Sequence, residues 1–186
     1  MNPALVLIDL QRAIDYPVWR AAGPRNHPEA EARVADLLRL WRGRDWPVFH
    51  VRHLSTNPNS TYASDGPGAA FKPEAQPLPG EPVIGKSAHS AFVGTDLESR
   101  LRVAGIDTLV IAGVITNNSV EATVRHAGDL GFQVLLAHEA CFTFARRDWS
   151  GVLRSAEEVH AMSLANLDGE YCDVVDSAAL TERLGL

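Results

Sequence analysis

The 186-residue chain has two cysteines, Cys141 and Cys172, two methionines and no cluster of basic residues. Two thiols are no disulfide framework, so the fold has to rest on a buried core. Lys and Arg number 17 against 23 Asp and Glu, a net charge of −6 spread along the chain. Without a basic stripe there is no electrostatic footprint for a phosphate backbone, which argues against a nucleic-acid partner. No apolar run approaches the roughly 20 residues needed to cross a bilayer, which argues against a membrane. The start, Met1-Asn2-Pro3-Ala4-Leu5-Val6-Leu7-Ile8-Asp9, has no basic leader or cleavage-type site and reads as a first strand rather than a signal peptide. Internal repeats and low-complexity tracts are missing too. These absences lead to the expectation of one domain over 1–186 in a soluble, cytoplasmic protein.

What is present is ordinary for a globular chain, 46% hydrophobic and 22% charged. Apolar runs alternate with helical patterns. Leu5–Asp9, Pro47–Arg52, Pro82–Lys86, Asp107–Ile115, Phe132–Ala137 and Tyr171–Val175 read as six strands, several without the alternation of a half-exposed sheet. Glu29–Arg42 places Val34, Leu37, Leu38 and Trp41 on one helical face. Thr95-x-x-Glu98, Asn118-x-x-Glu121 and Ser155-x-x-Glu158 resemble capping boxes, with Gly105 and Gly131 as helix ends. Val152, Ala156, Val159 and Met162 recur at near-helical spacing in the fourth helix, and a short helix closes the chain. The expected fold is α/β: a doubly wound, mostly parallel six-stranded sheet flanked by helices, Rossmann-like and three-layered. The segment at about 53–82 holds Pro58, Gly66, Pro67, Gly68, Pro73, Pro77, Pro79 and Gly80 and has little periodicity. A long loop of that kind reads as a lid or an oligomer contact.

In such sheets chemistry gathers beyond the carboxyl ends of the strands. Asp9, Lys86 and Ser119 all fall there. Each alone has a plainer reading: a turn aspartate, a solvated surface lysine, a serine at a helix start. An acid, a cation and a hydroxyl at three strand ends of one sheet outweigh those separate readings.

Leu7-Ile8-Asp9-Leu10-Gln11, then Lys86 with Ser90-Ala91-Phe92-x-Gly94-Thr95-Asp96-Leu97, then Gly113-Val114-Ile115-Thr116 through Val120-Glu121-Ala122-Thr123-Val124-Arg125-His126-Ala127 are similar to three motifs of the isochorismatase-like cysteine hydrolases. Gly131-Phe132-Gln133-Val134 and Glu139-Ala140-Cys141 resemble the strand that follows, so the likeness runs from Ala4 to about Val175. It implies a hydrolase of a small polar substrate, cleaved at a C–N (amide) or C–O (vinyl ether) bond. Asp9 and Lys86 match two members of the family's triad, whereas Ser119 stands where most members carry the nucleophilic cysteine. The resemblance also implies a cis peptide at Val114–Ile115, amides of Ile115 and Ser119 aimed at a reacting oxygen, Gln11 and Val114 beside the substrate, and a homo-oligomer, dimer or tetramer.

A serine hydroxyl is far less acidic than a thiol, and an ordinary aspartate near pKa 3.9 is a poor base for it. Neutral Lys86 as base, or Asp9 as general acid with Ser119 only hydrogen-bonding, are the two schemes left open. An alternative outside enzymes is a pseudo-enzyme or ligand-binding relative. Some relatives hold a metal through an Asp-x-His pattern after strand two. Here the segment is Phe49-His50-Val51-Arg52-His53-Leu54, without that pattern and with both histidines on opposite sides of an extended chain. No metal is carried over and no cofactor is expected. Cys141 and Cys172 read as packing thiols, His160 and Arg125 as packing or salt-link residues, and Tyr16 and Trp19 as pocket walls with the loop.

Overall fold

The computed structural model describes residues 3–186. Its strands are β1 (Pro3–Ile8), β2 (Val48–His53), β3 (Val83–Lys86), β4 (Thr108–Val114), β5 (Gln133–Phe142), β6 (Arg146–Arg147), β7 (Leu153–Arg154) and β8 (Asp173–Val175). Its α-helices are α1 (Ala30–Arg42), α2 (Leu97–Val103), α3 (Glu121–Asp129), α4 (Ala156–Ala165) and α5 (Ser177–Leu184). Six strands make one all-parallel sheet in the order β3-β2-β1-β4-β5-β8, and β6 and β7 form a separate two-stranded hairpin. The doubly wound α/β sheet read from the sequence is therefore present. Every residue of β1 and of β4 is buried, as expected for strands covered by helices on both faces.

The order reverses between β1 and β4, which are hydrogen-bonded neighbours. Their junction is the switch point where such sheets open a crevice. Close approach there depends on Gly113, whose φ of +131° suits only glycine and whose added Cβ would lie 2.2 Å from the Ile8 carbonyl oxygen. On the outer face of the sheet α1 buries Val34, Leu38 and Trp41, and the Trp41 indole donates to the Pro3 carbonyl at 3.0 Å.

Local details depart from the sequence reading in instructive ways. The Ser155–Glu158 capping box forms, with both reciprocal bonds made. The other two do not. Thr95 precedes the cap residue Asp96 of α2 and its hydroxyl donates to the Ala91 carbonyl at 2.6 Å instead. Asn118 and Ser119 lie in a π-type turn, Thr116–Val120, ahead of α3, so Ser119 is not in the first α-helical turn. Glu121, the intended box partner, is drawn to Ser163 and Arg125. β5 runs on to Phe142 and so contains Cys141, which was expected to follow the strand. The Val152–Met162 stripe is not a core face: Val152 is 49% and Met162 65% exposed, while α4 buries Ala156, His160 and Ser163.

The 53–82 segment is tied down by side chains. Gln11 donates to the carbonyls of His53 and Ala69 and accepts from the His53 amide at 2.7 Å. Lys72 pairs with Asp15 and Glu31, and Arg42 with Glu81. These bonds fold the loop over the carboxyl ends of β1 and β2.

Candidate active site

Asp9 is the residue after β1, at φ +53°, a left-handed conformation that Asp and Asn tolerate better than most side chains. Lys86 ends β3 and pairs in register with His53 at the end of β2. Ser119 sits in the turn after β4. The backbone carries a cis peptide at Val114–Ile115, immediately before that turn. Three strand ends and one turn thus meet at the crevice, and all three residues singled out from the sequence are in it.

Their contacts centre on one ammonium. Lys86 Nζ donates to Asp9 Oδ2 at 2.7 Å, to the Ala88 carbonyl at 3.1 Å and to Ser119 Oγ at 3.3 Å. His53 Nδ1 lies 3.4 Å from the same nitrogen. Asp9, Lys86 and Ser119 are buried, at 3%, 2% and 7% exposure. Asp9 Oδ1 is buried without a hydrogen-bond partner, which leaves one carboxylate oxygen with unused acceptor capacity. Burial raises the Asp9 carboxyl above its ordinary range, against the downward pull of Lys86. Burial, reinforced by the Lys86 charge, lowers His53 to about 4, so its imidazole is neutral near pH 7.

A small cavity of about 150 Å³ opens onto these groups. It is lined by Asp9, Ser119, Val114, Ile115 and Asn118 and by Trp19, Ser60, Tyr62, His53 and His89. The loop supplies Ser60 and Tyr62, and the Tyr62 hydroxyl donates to the Asp9 carbonyl at 3.2 Å. Trp19 packs edge-on against Tyr62 and donates to Thr61 Oγ1 at 3.1 Å, so it closes the same wall. A wider groove of about 950 Å³ runs past Trp149 and Met162, but it contains none of the strand-end residues.

Two assignments change. Gln11, expected beside the substrate, is fully buried and spends its amide on the backbone of residues 53 and 69, so it holds His53 and the loop in place. Tyr16, expected on the pocket wall, lines a different groove with Arg25 and Phe142. The structure adds His53, His89, Asn118 and Tyr62 to the site. His53 was legible in part, because a histidine ending the strand beside a Lys-terminated strand must face the same crevice. His89 and Tyr62 lie in irregular chain and gave no periodic signal. Neither Cys141 nor Cys172 lines the cavity, and burial pushes both thiols up to about 12, where they are inert. His50 packs away from the cavity against Glu81 and Phe71. Arg125 pairs with Glu121 and covers the Tyr171 ring.

An all-parallel sheet with an acid, a lysine and a hydroxyl at its switch point defines an α/β hydrolytic scaffold. Comparison with known proteins gives the family. The isochorismatase domain model matches residues 3–178, and the chain belongs to the isochorismatase family of hydrolases. It is 35% identical over 177 residues to the isochorismatase family protein YrdC of Bacillus subtilis, covering 95% of this chain and 93% of that one. It is 29% identical to the maleamate amidohydrolase of Pseudomonas putida over 98% of this chain and 87% of that protein. The crystal structure of an isochorismatase-family protein from Chromobacterium violaceum superposes with a TM-score of 0.94 at 60% identity, covering 99% of this chain and 94% of that one. No helix among the described residues is long and apolar enough to cross a membrane.

Proposed function

We propose that this hydrolase cleaves the C–N bond of a small polar amide, with Asp9, Lys86 and Ser119 as its reacting and charge-holding groups. The observation that carries the reading is Lys86 Nζ bridging Asp9 Oδ2 and Ser119 Oγ, two groups that line one small cavity. The amidohydrolase among the relatives supports the choice of an amide. An ordinary aspartate is too weak a base for a serine hydroxyl, but burial strengthens Asp9, and its Oδ1 has acceptor capacity to spare. In the first half-reaction Asp9 takes the Ser119 hydroxyl proton as Oγ bonds to the amide carbon. Lys86 holds the charge on Oγ, and the amides of Ile115 and Ser119 receive the carbonyl oxygen. The proton passes from Asp9 to the leaving nitrogen as the C–N bond breaks. Water then cleaves the acyl ester with Asp9 again as base, returning Ser119.

The raised Asp9 carboxyl also favours a second reading. A protonated Asp9 can deliver its proton to a vinyl ether, after which water adds, and Ser119 only hydrogen-bonds. The test is turnover of amide and vinyl-ether panels by the wild type, Ser119→Ala and Asp9→Asn. The amide reading expects a loss of at least about a hundredfold in both variants. The vinyl-ether reading expects Ser119→Ala to retain activity. Wild-type protein that binds panel members without turning any over would make the chain a binding relative.

A further inference from the structure

Three histidines that the cavity does not use come together on the other side of the Ser119 turn. His27 precedes α1, His138 lies in β5 and His160 on α4. Their ring centroids are 4.6 Å (His27–His160), 5.7 Å (His27–His138) and 6.0 Å (His138–His160) apart. One ring nitrogen from each lies within 4.8 Å of the others. We propose that His27, His138 and His160 form a binding site for a divalent transition metal of the zinc class, held by three imidazoles with a fourth position open.

The local structure is built to bring these rings together. β5 carries more residues than β4 between the paired positions Ile111–Leu136 and Gly113–Cys141, a bulge that turns His138 out of the strand ladder. The three rings come from segments far apart in sequence, and such convergence needs more than local propensity. Each outer contact has the form found around metal-bound imidazoles, whose second nitrogen is oriented by an oxygen. His27 Nδ1 is 2.8 Å from the Cys141 carbonyl and 3.1 Å from that of His138. His160 Nδ1 is 2.9 Å from Thr116 Oγ1. Carbonyls only accept, so His27 Nδ1 donates and its Nε2 keeps a lone pair; His160 Nε2 keeps one in the tautomer whose Nδ1 donates to the Thr116 hydroxyl.

The inner nitrogens are the anomaly. His160 is 5% exposed and its Nε2 is buried with no hydrogen-bond partner, and His138 Nδ1 is buried and unpartnered as well. Buried polar atoms are normally satisfied, and two unpartnered ring nitrogens within one histidine cluster call for a ligand. Zinc–nitrogen bonds of about 2.0–2.1 Å place tetrahedral ligand atoms about 3.4 Å apart, so the rings close by about 1.5 Å at most on binding. An all-imidazole set suits zinc, nickel or copper rather than magnesium or calcium, which require oxygen ligands. The half-buried His27 and His138 give the ion a way in.

This site shares no residue with the Asp9–Lys86–Ser119 cavity and does not depend on the reaction assigned there. It is also separate from the His50–His53 segment considered above. The test is calorimetric titration of chelator-treated full-length protein with Zn2+, with melting temperature read in parallel and Co2+ used as a spectroscopic substitute. One equivalent of Zn2+ should bind, raise Tm and give a Co2+ ligand-field band. His138→Ala and His27→Ala should each weaken binding by at least about tenfold and remove the band. These two are the deciding variants because their side chains are only half-buried, and His27→Asn, which keeps a residue suited to the φ of +43° there, is measured beside His27→Ala. Absence of stoichiometric binding to the wild type, or binding undiminished in both variants, overturns the site.

Discussion

Replacing Lys86 by methionine isolates what the buried pair contributes. Lys86 and Asp9 are among the most buried charged groups of the described chain, and their 2.7 Å contact is the shortest bond in the cavity. Lys86→Met keeps most of the side-chain volume but strands Asp9, whose Oδ1 already lacks a partner. A carboxylate left so can escape by taking a proton. Starting from its ordinary value of 3.8, protonation at pH 7 costs about 4 kcal/mol at about 1.4 kcal/mol per unit. That figure caps the destabilisation arising from Asp9 and agrees with the 3–5 kcal/mol typical of breaking a buried pair.

The sign with pH follows. A carboxyl whose folded pKa lies above its unfolded value binds more protons folded than unfolded, so stability falls as pH rises through that interval. Burial already raises Asp9 in the wild type, and removing Lys86 removes its main downward pull. The deficit of Lys86→Met should therefore shrink as pH falls from 7 to 5, by at most about 1.4 kcal/mol per unit. Asp9→Asn keeps a residue suited to the left-handed backbone, and the double variant with Lys86→Met should recover at least about 2 kcal/mol relative to the sum of the single changes. Urea denaturation of the four proteins at pH 5, 6 and 7 measures all of this. A Lys86→Met deficit below about 1 kcal/mol, or one that grows toward pH 5, would refute the argument.

Two further outcomes rest on separate observations. Gly113→Ala drives a Cβ to within 2.2 Å of the Ile8 carbonyl at positive φ, so we expect a loss above about 4 kcal/mol or no folded protein, and a wild-type Tm would contradict that packing. Against the upward push of burial, Arg25 at 2.6 Å and Lys72 at 2.9 Å hold the Glu31 carboxyl at about 2, so its contribution of up to about 3 kcal/mol is present above pH 4.5 and lost as pH falls toward 2. In Glu31→Gln the urea midpoint should lose that part of its acid dependence, and an unchanged acid slope would show the contribution to be absent.

The sheet was legible because buried parallel strands leave unbroken apolar runs, and Leu5–Ile8 and Leu109–Val114 are such runs. Their ends were legible with them, which is why the sequence places Asp9, Lys86 and Ser119 at one crevice. β5 was read too short because His138 and Glu139 interrupt its apolar run, and that interruption is the bulge itself. The capping boxes failed at Asn118 and Thr95 for a different reason. Residue type permits a cap, but tertiary partners decide it, and Glu121 found Ser163 and Arg125 while Thr95 found Ala91. Gln11 was expected beside the substrate from the family resemblance. Its amide instead matches two carbonyls and one N–H of the covering loop, contacts separated by 42 and 58 positions that no local pattern reveals.

That misassignment bears on the chemistry. Asp9 becomes a stronger base only as far as water is kept from it, and the cover consists of Tyr62, Trp19 and the loop that Gln11 fastens to His53. The residue two places after the acid therefore bears on the acid through the loop, by holding in place the cover under which burial outweighs the pull of Lys86. A serine at position 119 demands more of its base than a thiol would, because its hydroxyl holds its proton more tightly. On the amide mechanism proposed above, the cover and the choice of serine are linked: a solvated Asp9 could serve a cysteine at that turn, whereas a serine nucleophile needs the burial that these contacts provide.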